Sequence, residues 1–260
     1  MPPTRHPAVA GRFYPADPFT LREAVESYLV PAEKSPAVGC VVPHAGYMYS
    51  GHVAGAVFSR LEIPQTIILL CPNHTGRGAP LAINSQGAWQ TPLGPVSIDQ
   101  SLAERLKTQF PLLTEDTEAH RSEHSAEVEL PFLQVLRPDV KIVPIAIGTK
   151  QLEILQALGN AIAESDTLII ASSDMNHYEN DAITRIKDHK AIEKILGLDS
   201  NGLYEVVRKE KITMCGIGPT VVMLTAAKKA ESAELVKYAT SGDISQDRNM
   251  VVGYAGIVVK

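Results

Sequence analysis

Three histidines and an aspartate stand in the same kind of place along this chain. Val41-Val42 gives way to Pro43-His44, Leu69-Leu70-Cys71 to Pro72-Asn73-His74, and Ile169-Ile170-Ala171 to Ser172-Ser173-Asp174-Met175-Asn176-His177. Each polar group follows a short continuous apolar run, with the length and composition of a buried strand. Open α/β sheets put their chemistry just beyond the carboxyl ends of strands, and neighbouring strands converge there on one crevice. Imidazoles and a carboxylate gathered in such a crevice suit a divalent transition metal. A lone histidine is ordinarily a hydrogen-bonded loop residue. The repetition is what points to a shared site for His44, His74, Asp174 and His177.

Cys215 lies in Thr213-Met214-Cys215-Gly216-Ile217-Gly218-Pro219, a glycine-broken turn ahead of a helix, where a helix N-terminus would favour the thiolate. Position alone leaves two readings open, a ligand or reactive thiol and a structural cysteine. Cys40 and Cys71, inside apolar runs, read as core. His120-Arg121-Ser122-Glu123-His124 spells the inverted zinc-protease motif, whose chemistry needs both histidines one turn apart on a regular helix with the glutamate poised as base. This segment is polar, reads as the lead-in to a helix and is soon followed by Pro131, so His124 alone is kept as a site residue. Cys215-Gly216-Ile217-Gly218-Pro219 lacks the lysine of a phosphate loop and reads as a turn. Asp243, Asp247 and Arg248 read as a solvated loop, and His6 and His52 as surface residues.

The elements that must carry these groups follow from periodicity and turn signals. Strands are predicted at Ala37–Val42, Thr66–Cys71, Val140–Ile147, Thr167–Ala171, Leu235–Ala239 and Met250–Val259, with a small hairpin near Trp89. Helices are predicted at Leu21–Leu29 after Asp17-Pro18, from about His52 to Leu61 after Ser50-Gly51, and at Ser101–Phe110. Further helices are predicted at Ala126–Leu136, where Pro131 falls in the first turns or kinks it, and at Leu152–Glu164, Asp181–Leu196, Gly202–Lys209 and Thr220–Ala230. The cluster Val9–Tyr14 should lie over the core. Strands alternating with helices predict an α/β fold: one domain over residues 1–260, with a central, mostly parallel sheet flanked by helices.

Composition bounds the function. The chain has 260 residues, 45% of them hydrophobic and 20% charged, enough apolar material for a core that needs no disulfide or metal staple. A formal net charge of -5 argues against nonspecific binding to nucleic acid or an anionic membrane. No basic-then-apolar leader or bilayer-length apolar run is visible. Three widely spaced cysteines are no disulfide framework, which favours a reducing cytoplasm.

Taken together, Val42-Pro43-His44-Ala45-Gly46-Tyr47, Pro72-Asn73-His74, Glu123-His124-Ser125-Ala126-Glu127, Ser172-Ser173-Asp174-Met175-Asn176-His177 and Cys215-Gly216-Ile217-Gly218-Pro219 resemble the Memo family. The tail, Tyr238-Ala239-Thr240-Ser241-Gly242-Asp243 through Val252-Gly253-Tyr254-Ala255-Gly256, extends the likeness over nearly the whole chain. The N-terminal Val9–Tyr14 segment resembles prokaryotic members, the AmmeMemoRadiSam system protein B type, rather than animal Memo, a cell-motility effector that binds metal and phosphopeptide. The resemblance implies a fold similar to the catalytic subunit of class III extradiol ring-cleaving dioxygenases, which are non-haem iron(II) enzymes. It also implies metal ligands at His44, His74 and Cys215, a pocket lined by Asp174, His177 and His124, and association with a radical-SAM protein. The dioxygenases complete a two-histidine, one-carboxylate face on iron, whereas a thiolate at Cys215 favours copper(I), zinc or an altered iron. The expected function is redox chemistry on a small substrate in a metal pocket, with His177 as acid/base tuned by Asp174. The rivals are a non-catalytic metal-, peptide- or partner-binding protein and a zinc-dependent hydrolase.

Overall fold

The computed structural model describes residues 3–165 and 167–260. A short strand β1 (Thr4–Arg5) precedes helix α1 (Pro18–Tyr28), which Asp17 caps by accepting from the Thr20 N–H. Then come β2 (Gly39–Val42), α2 (Tyr47–Phe58), β3 (Thr66–Pro72), β4 (Leu81–Ile83) and the hairpin β5 (Ala88–Thr91)–β6 (Gly94–Ile98). Helix α3 (Gln100–Gln109), strand β7 (Thr114–Glu115), the single turn α4 (Glu118–Arg121) and α5 (Leu130–Leu136) lead to β8 (Lys141–Ile147). The chain continues through α6 (Leu152–Ile162), β9 (Leu168–Ser172), β10 (His177–Glu179), α7 (Asp181–Leu196), α8 (Ser200–Lys209) and α9 (Ile217–Ala226). It ends on β11 (Ala233–Thr240), the short α10 (Gly242–Ser245) and β12 (Val251–Val259).

The twelve strands of the described residues join one mixed sheet in the order β1-β5-β6-β8-β3-β9-β2-β12-β10, with β11 on β12, β4 on β8 and β7 on β4. Its centre, β6-β8-β3-β9-β2, is parallel, and the antiparallel pairings lie towards its flanks. The central strands are buried on both faces, which is why they read as unbroken apolar runs. Alternation along β3 sends Ile68 and Leu70 into a core shared with α3, α6, α7, α8 and α9, and Ile67, Leu69 and Cys71 into one shared with α1, α2 and α5. For the site one adjacency matters most: β9 lies between β2 and β3, with Val42 opposite Ser172 and Leu70 opposite Ala171. The carboxyl ends of these three strands therefore open side by side.

Three helix expectations need correction. Helix α2 begins at Tyr47 behind Gly46, not at His52. Ser50 and Gly51 lie inside it, the Ser50 hydroxyl donating to Ala45 O, and Gly51 is small because the Tyr28 ring packs where a Cβ would stand, within 2.6 Å. The single helix expected over Ala126–Leu136 is a 3-10 turn at Glu127–Glu129 followed by α5, with Pro131 in its first turn, where the missing N–H costs nothing. Helix α9 starts at Ile217, before Pro219, rather than at Thr220.

Candidate metal site

His44 and Asp174 sit two residues past the ends of β2 and β9, and His74 two residues past β3. Asn73 turns the chain after β3, its side-chain oxygen accepting from the Gly76 N–H and its amide donating to Arg77 O. Cys215 arrives from the turn before α9. Gly216 permits this approach, since a Cβ there would lie 2.3 Å from Ser173 Cβ and 2.5 Å from Ser172 O. Ligand-capable atoms of His44, His74 and Cys215 all lie within 4.8 Å of one another. Atoms bound at 2.0–2.3 Å to one tetrahedral ion stand roughly 3.3–3.8 Å apart, so the trio is already near coordination spacing.

The histidines are held by one ring nitrogen each. His44 Nδ1 lies 2.8 Å from Ser172 Oγ, and its Nε2 stands 3.3 Å from Cys215 Sγ. His74 Nδ1 meets Glu123 Oε1 at 2.9 Å, while the His74 N–H donates to Oε2 at 2.6 Å. Glu123, whose side chain is fully buried, also accepts from the His124 N–H, the Ser125 N–H and the Ser125 hydroxyl. Anchoring Nδ1 leaves Nε2 for a ligand, the arrangement in which outer partners orient metal-binding histidines.

Asp174 is an organiser rather than a member of the donor trio. Its carboxylate accepts from the His44 N–H at 2.8 Å, and its own N–H donates to Cys215 Sγ at 3.2 Å. Burial pushes its pKa up to about 7, against the pull of the His44 and Ala45 amides and of His74. Burial also pushes the Cys215 thiol up, with Asp174 adding to it. Burial thus opposes the thiolate that a helix N-terminus would favour, and a cation bound to sulfur would reverse this.

Burial lowers His44 well below its ordinary value, helped by the neighbouring His124, His74 and His177. It opposes protonation of His74 too, but the Glu123 hydrogen bond and charge outweigh it and raise that ring. His124 stacks on His74 with ring centroids 4.8 Å apart and meets His44 edge-on at 5.4 Å. Phe13 covers it at 4.7 Å. His177 takes its hydrogen bonds from Thr213: its Nδ1 meets Thr213 O at 2.9 Å and its N–H donates to Thr213 Oγ at 2.7 Å. Burial lowers its pKa.

His120 does not join the site. Glu123 and His124 lie beyond the single turn of α4, so no regular helix presents the H-x-x-E-H pair. The His120 ring packs edge-on against Trp89 at 5.4 Å, and neither of its nitrogens has a hydrogen-bond partner among the described residues. Sequence reasoning missed Ser172, Glu129 and Thr213, and it read Glu123 only as a protease base. It also missed Glu127, which accepts from Arg5 Nη1, the Ala8 and Val9 N–H groups and the Tyr14 hydroxyl, pinning the N-terminal segment that carries Phe13.

Known proteins resemble this chain in sequence and in fold. A sequence profile of Memo-like proteins matches residues 5–258. A MEMO1 family protein of Archaeoglobus fulgidus is 44% identical over 98% of this chain and 99% of its own length. One from Methanopyrus kandleri is 42% identical over 98% and 99%. Among solved structures, uncharacterized protein JW3007 of Escherichia coli K12 superposes with a TM-score of 0.52 over 85% of this chain and 98% of its own, at 14% identity. That likeness concerns the fold alone.

Proposed function

This chain belongs to the Memo family, and from that premise we propose that it is a metal-binding protein performing redox chemistry on a small substrate. The metal would be held by His44, His74 and Cys215. The observation that carries this reading is the trio itself: one sulfur and two imidazoles at near coordination spacing, each imidazole fixed through Nδ1. Two nitrogens and a sulfur fit a borderline or soft ion such as iron, copper(I) or zinc better than magnesium or calcium. Iron or copper would supply electron transfer and zinc Lewis acidity.

The surrounding residues support proton handling at this place. Asp174 titrates near neutrality, so its carboxyl can hold or release a proton at working pH. His124 and His177, both shifted towards the neutral form, are suited to accept one. Phe13 packs against His124, which in turn stacks on His74. With Asp174 outside the donor trio, the carboxylate of an ordinary oxygenase face is absent from the proposed ligand set. The reading also includes a radical-SAM protein as partner, tested by co-purification. It places the protein in a reducing cytoplasm, which suits three free cysteines.

The test is the metal content of anaerobically purified protein, wild type against C215S and H44A. Near-stoichiometric metal in the wild type and its loss from both variants supports the centre, and the identity of the metal separates redox from hydrolytic chemistry. A wild type that binds none of iron(II), copper(I) or zinc overturns it.

A further inference from the structure

Ser172 Oγ has three polar neighbours: Ser125 O at 2.7 Å, His44 Nδ1 at 2.8 Å and Glu129 Oε1 at 3.1 Å. All four residues are buried, Glu129 with only 1% exposure. A hydroxyl carries one hydrogen and two lone pairs. A carbonyl can only accept, so the hydrogen goes to Ser125 O, the shortest contact. The other two neighbours then face lone pairs and both have to donate, His44 as Nδ1–H and Glu129 as the O–H of a carboxylic acid. An ionised Glu129, or a His44 bare at Nδ1, would set lone pair against lone pair in a buried place, where an unmade hydrogen bond is expensive.

From this count we propose that Ser172 is a positioning residue that fixes His44 in its Nδ1–H form, and that Glu129 is a neutral carboxylic acid locking the Ser172 hydroxyl in place. The Nε2 lone pair of His44 is thereby committed to the side where Cys215 Sγ stands, 3.3 Å away. Independently, burial raises the Glu129 pKa well above the usual carboxylate range, with the nearby Asp174 charge acting in the same sense against the Ser172 hydrogen bond. The purpose of the arrangement rests on the metal reading above, but the proton positions are properties of the metal-free chain.

The test uses metal-free, 15N-histidine-labelled full-length protein, with His44 assigned by comparison with H44Q. Long-range proton–nitrogen correlation spectra should show His44 protonated at Nδ1 in the wild type and in E129Q, whose amide still donates to Ser172. S172A should shift His44 towards the Nε2–H form and weaken zinc binding by about ten- to a hundredfold. An infrared difference spectrum, wild type minus E129Q at neutral pH, should contain the carbonyl stretch of a protonated carboxylic acid. An Nε2–H wild type, the lack of that band, or an S172A protein unchanged in tautomer and affinity overturns the proposal. Should S172A fail to fold, the wild-type tautomer and the E129Q band still decide. An Nδ1–H His44 in a protein that binds no metal would sink the metal reading alone, and an Nε2–H His44 in a metal-binding protein would sink this one alone.

Discussion

Replacing Glu127 with alanine should cost about 3–5 kcal/mol of stability and release the first segment of the chain. The Glu127 side chain is fully buried and pairs with Arg5 Nη1 at 2.7 Å, the Arg5 side chain being only 7% exposed. Removing one partner of a buried pair typically costs about 3–5 kcal/mol, because the other charge is left uncompensated. The substitution also strands the Ala8 N–H, the Val9 N–H and the Tyr14 hydroxyl, which Glu127 accepts at 2.7, 3.0 and 2.6 Å. Each would add about 1–3 kcal/mol if it stayed buried. They need not stay buried: the segment can lift into water, and that release sets the ceiling on the loss. Urea unfolding gives the stability, and limited proteolysis reports whether residues 3–14 become cleavable under native conditions. R5A/E127A should recover part of the E127A loss, since the double variant removes the orphaned charge. An E127A protein within 1 kcal/mol of wild type and equally protease-resistant would refute the claim that one carboxylate pins this segment.

Three further outcomes follow from particular contacts. His120 is held down to about 4 by burial and by Arg5; its folded pKa lies below the unfolded value of about 6.5, so its contribution is present above pH 6.5 and lost as pH falls towards 4. Over that window stability should drop by about 3 kcal/mol at 1.36 kcal/mol per unit, and H120F should flatten this part of the pH–stability curve in denaturant titrations. Gly253→Ala would place a Cβ 1.8 Å from Asp188 Oδ2 and 3.2 Å from Met175 Cβ, an overpacking that should cost about 1–3 kcal/mol, read as a lower thermal midpoint. Glu123→Leu removes the carboxylate that fixes the His74 ring and should weaken zinc binding by about ten- to a hundredfold in competition with a chromophoric chelator; unaltered affinity would remove His74 from the ligand set.

How far the sequence could be read depended on how local each signal was. A buried parallel strand followed by a switch to proline, glycine and polar residues is a local pattern, and it marked the places of His44, His74 and Asp174. That β9 lies between β2 and β3, which makes those places neighbours, depends on pairings between distant segments and on no single window. Helix α7 was legible at both ends, because Asn180 caps it, accepting from the Ala182 N–H, and Gly197 follows it. The start of α2 was misread because Gly51 looked like a cap signal, whereas its size serves the Tyr28 ring. Glu123 falls in the polar lead-in, and Glu127 and Glu129 in the helix expected over Ala126–Leu136; each is buried because its partner comes from elsewhere, His74, Arg5 or Ser172. Ser172 was indistinguishable from any strand-end serine until Ser125 and His44 stood beside it.

The pairing of β2 also governs when the site can exist. Its two neighbours are β9 and β12, and both follow it in the sequence. During synthesis His44 is made before either flanking strand, and Cys215 follows β9. Non-local pairings of this kind form slowly, because the chain between them has to be closed before any contact rewards it. An unfinished chain therefore has isolated imidazoles but no assembled donor set. On the metal reading, capture of an ion by the trio would be a late event, coupled to completion of the sheet.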